Sequence, residues 1–330
     1  MKTKKQKKKR NKKYIPQESR SCPCGSKQKF ESCCMPYSRY GPLIKKADNR
    51  FNDIHTIIIF EINSILKNMC IRSKFLDKIY SALLDMFSFS DDALNSCKEH
   101  TYNLKKQIGC KKNSNTYQVD DFDHKFHFYI RNLYISGGVV KDALCQFSNE
   151  IGFNIMFLFG DESQKDFNKK LNKLISSFQE KENALKLKDF ILIHKKGWLG
   201  SFILNRNKIE HGTFVIKPVE YLVNKNDQLL PQFPSVDTIA YNELFRNYPV
   251  NFLYFTREII IFLLNELAYR EEFMDGTHRG VIVPVKEDKM PFGDLNEDKI
   301  LYKFTIMDKK TNQILTTNFS RNCPKNKNEK

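Results

Sequence analysis

Apolar residues recur every three or four positions along most of the chain, which is the spacing of one face of an α-helix. The first such face consists of Ile54, Ile58, Ile62, Ile65 and Met69. Further segments with this spacing, taken together with the first, predict helices over residues 54–69, 75–87, 93–106, 126–135, 139–159, 167–178, 184–194, 198–211 and 252–270. The pattern therefore predicts a mainly α protein.

Glycines and prolines mark where these helices are expected to end. Gly137 and Gly138 separate two of the predicted helices, and Gly212 directly follows the helix that ends at His211, where glycine suits a C-cap. Residues 213–237 contain three prolines, which predicts an irregular excursion over the surface.

Beyond Gly280 the apolar residues alternate with polar ones, as they do in β-strands. Residues 281–283, 301–306 and 313–319 show this alternation, so we expect a short C-terminal β-hairpin. The predicted fold is a helical bundle with that hairpin at its end.

Composition and length set the domain organisation. The most apolar stretch, residues 251–269, is interrupted by Arg257, Glu258 and Glu266, so it does not suit a membrane span, and no signal-peptide core is present. We expect a cytoplasmic protein with no membrane partner.

The chain divides into five predicted segments. They are a basic tail (1–20), a cysteine-rich segment (21–40), a helical domain (50–275), a β extension (280–320) and a charged tail (321–330).

Positive charge is concentrated at the N-terminus. Of the formal net charge of +17, residues 1–13 carry eight lysines and one arginine with no acidic residue. Such a segment attracts phosphate backbones by displacing their counterions, which predicts binding to RNA or to ribosome-associated RNA. The alternative is a composition bias in the coding sequence, with a tail that serves only solubility.

Four cysteines lie within thirteen residues: Cys22, Cys24, Cys33 and Cys34. One close pair and one adjacent pair of thiolates across a short loop provide the four donors that tetrahedral Zn²⁺ requires. Pro23 restricts the first turn, and Gly25 allows the backbone to fold back. Unrelated free thiols, or a redox switch at Cys33 or Cys34, are the alternatives. The other five cysteines have no ligand spacing and are expected to include buried thiols.

This segment resembles the SEC-C zinc motif, whose pattern is C-P-C-G-S-G-x-K-[YF]-x-x-C-[CH]. The resemblance implies that the four cysteines bind one structural Zn²⁺ per chain, with Lys29 and Phe30 in the basic and aromatic positions. Lys27 replaces the usual glycine, which affects the local turn but no ligand. SEC-C modules accompany diverse domains and dock onto proteins or nucleic acid.

A second motif closes the helix that ends at His211. Arg206, Asn207 and His211 form an R-N-x3-H pattern, which is weak evidence alone. In a mainly helical domain with a later long helix, it resembles the HEPN superfamily, whose signature is R-x4-6-H. The resemblance implies a homodimeric, metal-independent endoribonuclease of a toxin–antitoxin or antiphage-defence system, which an antitoxin partner restrains in some members.

The residue types suit that chemistry. His211 can transfer protons, Arg206 can neutralise charge on phosphate oxygens, and Asn207 can hold a phosphate or a facing helix. Residues five apart on a helix point about 140° apart, so a second copy is needed to complete one site. The alternatives are a non-catalytic RNA-, ribosome- or protein-binding adaptor, and a His211 that merely stabilises the helix end.

A third group of polar residues precedes the helix predicted at 126–135. His124 and His127 lie three apart beside Asp120, Asp121 and Asp123, a spacing that allows a metal site. A helix N-terminus rich in acidic residues explains the same pattern, and we favour this interpretation.

Overall fold

The computed structural model describes residues 53–107, 122–223, 229–270, 272–273, 277–286 and 300–316. These residues form a mainly helical structure with two small antiparallel sheets, which confirms the predicted α class. The four cysteines of the proposed zinc motif and the N-terminal basic tail lie outside the described residues.

Seven α-helices run through the described part of the chain. A π-helical segment, His55–Ile62, leads into α1 (Asn63–Asn68), and a 3₁₀ turn, Met156–Phe159, precedes α4. The other helices are α2 (Leu76–Gln107), α3 (Phe122–Glu150), α4 (Gln164–Ser176), α5 (Lys181–His194), α6 (Gly200–Glu210) and α7 (Tyr241–Arg270). A π-helical turn, Lys195–Leu199, joins α5 to α6.

The strands form two antiparallel sheets. The first pairs β1 (Glu220–Val223) with β2 (Leu229–Gln232). The second contains β3 (Glu272–Phe273), β4 (His278–Lys286), β5 (Ile300–Asp308) and β6 (Ile314–Thr316) in that order, with Ile282 opposite Phe304. The predicted C-terminal hairpin is thus part of a four-stranded sheet.

Helix α7 lies at the centre of the core. Most of its apolar side chains are buried, from Leu244 to Ala268, and it contacts α2, α3, α5 and β4. Because packing surrounds it, Pro249 is accommodated inside the helix, which begins at Tyr241 and not at the predicted residue 252. Stability of this helix comes from burial and not from its intrinsic propensity.

Two predicted helix breaks are absent. Helix α2 is continuous where two helices were expected, and Ser90 and Asp91 in the polar middle of that region are buried. Helix α3 runs straight through Gly137 and Gly138, which are both buried. Residues 213–237 are also more regular than expected, since they contain the β1–β2 pair.

Charged residues of α7 that interrupt its apolar sequence are buried and paired. Arg257 donates two hydrogen bonds to Glu61, at 2.8 and 2.6 Å, and Glu61 also accepts the Tyr302 backbone N–H at 2.6 Å. Glu266 accepts the backbone N–H groups of Gln179 and Glu180 just before α5. These carboxylates therefore connect α7 to distant elements.

No described helix has the length and apolar character that a bilayer crossing demands.

Candidate active site

The R-x4-H motif lies on α6, which packs closely against the middle of α3. A Cβ atom added at Gly137 would lie 2.5 Å from the Phe202 ring of α6 and 3.0 Å from the Phe252 ring of α7. No side chain fits at such a separation, so glycine is what allows the three helices to approach. The glycine pair that suggested a break in sequence is therefore the contact point for the motif helix.

Arg206 lies directly over the second glycine. A Cβ atom at Gly138 would stand 2.8 Å from Arg206 Nε, so the arginine side chain occupies the space that any other residue at 138 would fill. Arg206 Nη2 donates to Glu210 Oε1 one helical turn later, and the arginine side chain is 18% exposed. The side chain is therefore largely enclosed between Gly138 and Glu210 but keeps a small exposed part.

The helix ends at His211 in the way that the sequence predicted. The Gly212 N–H donates to the Ile209 carbonyl at 3.1 Å, and the Thr213 N–H donates to the Lys208 carbonyl at 2.8 Å. With Gly212 at φ +68°, this is a Schellman motif. It leaves His211 exposed as the capping residue.

His211 and Asn207 are available for an incoming group. Within the described part of the chain, neither side chain has a hydrogen-bond partner, and Asn207 is half-buried while His211 is exposed. No hydrogen bond joins Arg206 to His211 among those same residues. A single chain thus presents the motif residues at one helix end but does not bring them together into a complete site.

A polar cluster beneath α6 fixes the position of this helix. Ser201 Oγ donates to Asp237 Oδ2 at 2.7 Å, and the buried Asn205 amide donates both to Asp237 and to Tyr134 Oη of α3, the latter at 3.3 Å. Burial raises the pKa of Tyr134, so its hydroxyl stays protonated. Because Asn205 directly precedes Arg206, the cluster sets the rotation of the motif helix.

Asp237 holds this position at a conformational cost. Asp237 and the next residue, Thr238, both have positive φ angles, 48° and 68°, in a tight turn closed by hydrogen bonds between Val236 and Ile239. Non-glycine residues in this region cost on the order of 1 kcal/mol each. The sequence analysis did not predict this turn. The one indication of it in the sequence is Asp237, because aspartate tolerates left-handed backbone.

The other candidate residues are not assembled into a site. Asp123 lies in the first turn of α3 and its Oδ1 accepts the distant Val219 N–H at 2.7 Å, while Asp120 and Asp121 lie outside the described residues. No cluster of three metal-binding side chains occurs in the described ranges. Cys97 and Cys145 are buried free thiols, as expected, and burial raises the pKa of Cys145 to about 12.

Comparison with known proteins adds no further information about the site. No family model, curated protein or solved structure matches this chain.

Proposed function

We propose that this protein is a homodimeric, metal-independent endoribonuclease of the HEPN type, a toxin or antiphage-defence effector, in which Arg206 and His211 act on the RNA phosphodiester. The observation that carries the proposal is the position of the motif. Arg206 lies over Gly138 with 18% of its side chain exposed, and His211 is exposed at the same helix end. Arg206 pairs with Glu210 of its own helix, and the His211 side chain has no hydrogen-bond partner among the described residues.

Arg206 suits the neutralisation of charge on the phosphate. Its planar guanidinium fork can bind two phosphate oxygens at once. Glu210 already occupies Nη2, so the remaining donors are the ones that a phosphate would meet. Glu210 therefore orients the guanidinium before RNA binds.

His211 suits proton transfer in attack by the RNA 2′-OH. An imidazole titrates near neutrality, so it can take the proton of the attacking hydroxyl or give one to the leaving 5′-oxygen. A well-placed general base or acid of this kind contributes on the order of 100- to 10,000-fold in rate. Asn207, whose amide is unoccupied by other described residues, can hold a non-bridging oxygen.

A second copy would complete the site, and the outer face of α3 offers a suitable surface for it. Ile135 and Val139, 53% and 49% exposed, flank Gly138 on that face, with the exposed Arg131 before them and the exposed Asp142 after them. Antiparallel packing of α3 on its own copy, with the twofold axis near Gly138, would place Ile135 opposite Val139. It would also bring Arg131 next to Asp142 of the partner subunit.

This arrangement satisfies the requirement of a twofold interface, because the same surface supplies both the positive and the negative group. Among the described residues of one chain, Asp142 pairs with its neighbour Lys141 alone, at 2.9 Å. The axis would pass beside Gly138, so the two Arg206 side chains would approach each other from the two copies. Such a dimer would form the composite site that the angle of about 140° between Arg206 and His211 on one helix calls for.

The zinc module and the basic tail would deliver the helical domain to RNA. Cys22, Cys24, Cys33 and Cys34 would hold the ion, whose role is to fold a segment too small to form its own core. Protein purified without chelator should contain about one Zn²⁺ per chain by atomic emission. Folded protein without zinc would contradict the module but would leave the nuclease proposal standing.

The test of the function is an RNA cleavage assay with intact protein, Arg206→Ala and His211→Ala. Both substitutions should reduce cleavage by at least about 100-fold, since each removes a group from the reaction. His211 is exposed, so thermal unfolding of the His211→Ala variant should match that of the intact protein. Cleavage that persists in both variants would contradict the proposal.

The second candidate function is a non-catalytic adaptor that binds RNA, ribosomes or a protein. The observation that favours it is the Arg206–Glu210 pair, which already satisfies part of the guanidinium within one chain. An adaptor would retain full RNA binding and show no cleavage in any variant. Binding without cleavage in the intact protein, purified without an antitoxin partner, would support this alternative.

A further inference from the structure

Helix α4 carries a row of lysines on its outer face. Lys165, Lys169 and Lys173, called the lysine row below, are four residues apart and all exposed. Within the described part of the chain, none of them forms an ion pair or a side-chain hydrogen bond. Four residues of helix rise about 6 Å, so the three ammonium groups follow one line with regular spacing.

Two acidic residues lie at the N-terminal end of α4. Asp166 accepts the Ser163 hydroxyl at 2.6 Å at the helix N-cap, and Glu162 is paired with Lys170. Helix α4 contains four lysines and one aspartate, which leaves it a formal charge of +3 (4 − 1), and the exposed Asn168 and Asn172 add neutral amides. The row is therefore a strip of excess positive charge.

The opposite face of α4 fixes this strip to the body of the protein. Phe167, Leu171 and Leu174 are buried, and Lys195 Nζ lies 5.3 Å from the centre of the Phe167 ring. Because the apolar residues of α4 are packed inside, the helix has no apolar face to insert into a lipid surface. Protein–protein interfaces are depleted in lysine, whereas interfaces with nucleic acid are strongly positive.

We propose that the lysine row binds the phosphate backbone of a single RNA strand, as a surface separate from the Arg206–His211 motif. Lysine ammonium groups bind phosphates as point charges without reading the sequence. The asparagines between them can donate further hydrogen bonds to phosphate or sugar oxygens. The row gives the folded body its own RNA contact in addition to the N-terminal tail, and it does so whether or not the motif cleaves RNA.

The matched control is a set of three lysines that are each paired with a carboxylate. These are Lys141 with Asp142 at 2.9 Å, Lys170 with Glu162, and Lys186 with Glu182 at 2.6 Å. Replacing either set by glutamine removes the same formal charge from the protein, and both triple variants keep the basic tail. Any difference between them therefore reports the local role of the lysine row.

The experiment measures binding of a 2′-O-methyl oligouridylate to the full-length protein across a range of salt concentrations. The probe has no free 2′-OH, so binding is recorded without reaction, and failure here is distinct from failure of the nuclease proposal. Each phosphate contact on a single strand contributes about 0.7 to the magnitude of the slope of log K against log salt. Loss of three contacts in Lys165→Gln/Lys169→Gln/Lys173→Gln should therefore lower that magnitude by about 2. It should decrease by less than half as much in the control triple.

Equal slopes in the two triple variants would overturn the proposal, because the row would then add nothing beyond net charge. A second arm measures sedimentation with vesicles of phosphatidylserine and phosphatidylcholine. Vesicle binding that depends on the row, with unchanged RNA binding, would also overturn the proposal in favour of a membrane surface. Thermal unfolding of the lysine-row triple should match that of the intact protein, since its three side chains are exposed, and thermal unfolding of the control triple is measured beside it because Lys141 is only 15% exposed.

Discussion

Arg257 and Arg206 each pair with a glutamate, and they differ in how much of the guanidinium the fold uses. Arg257 uses both Nε and Nη2 on the fully buried Glu61, and its guanidinium also lies 4.9 Å from the centre of the Tyr302 ring. Within the described ranges, Arg206 bonds through Nη2 alone, to a half-exposed glutamate of its own helix.

The comparison shows how to distinguish a committed arginine from an available one. Arg257 joins α7 to the π-helical segment before α1 and to β5, so its hydrogen-bonding capacity serves the fold. Arg206 fits over Gly138 because residue 138 has no side chain. Its remaining N–H donors are the ones that the proposed function assigns to an external phosphate. A pair within one helical turn orients an arginine without enclosing it.

The largest expected effect comes from breaking the buried pair. Arg257→Ala would leave the Glu61 carboxylate buried without its partner, which should lower the free energy of unfolding by about 3–5 kcal/mol. Arg206→Ala removes an accessible pair within one helix and should cost no more than about 1 kcal/mol. Urea denaturation of both variants measures the difference. Similar losses in the two would show that Arg206 is also a structural residue.

A smaller and more selective effect is expected at the two adjacent glycines. Gly137→Ala would force a Cβ into the Phe202 and Phe252 rings and should destabilise the protein by about 1–3 kcal/mol. Gly138→Ala meets only the flexible end of Arg206, and alanine favours a helix interior by about 1 kcal/mol over glycine. The second variant should therefore fold at least as well as the intact protein.

In Gly138→Ala, RNA cleavage should fall although the stability of the protein does not. Displacing the guanidinium from its position over residue 138 should reduce RNA cleavage by about 10- to 100-fold. Stability is read from thermal unfolding and activity from the RNA assay, in the same preparations. Full cleavage activity in Gly138→Ala would mean that the position of Arg206 over the glycine is irrelevant to the reaction.

Sequence reasoning succeeded where the signal is local. The amphipathic spacing predicted the mainly helical fold, and Gly212 predicted the helix end at His211, because both depend on residues within a few positions of each other. The motif residues themselves could also be selected from the chain alone. Whether they catalyse a reaction is a property of the assembled site and stays a prediction.

Features that depend on distant partners could not be derived from the chain. Arg257 and Glu61 are 196 residues apart, and the sequence showed Arg257 only as an interruption of an apolar stretch. Gly137 and Gly138 were interpreted as a break, but their role depends on rings and a guanidinium from other helices. The Asp237 turn was likewise hidden inside a segment predicted to be irregular.

The most direct test of the composite site is to mix the inactive Arg206→Ala and His211→Ala proteins after exchange of subunits. About half of the dimers would then be mixed, and each would contain one site with an intact Arg206 from one copy and an intact His211 from the other. We expect the mixture to recover about a quarter of the intact protein's cleavage activity. No recovery, with subunit exchange verified by mass spectrometry of tagged chains, would contradict a site shared between two copies.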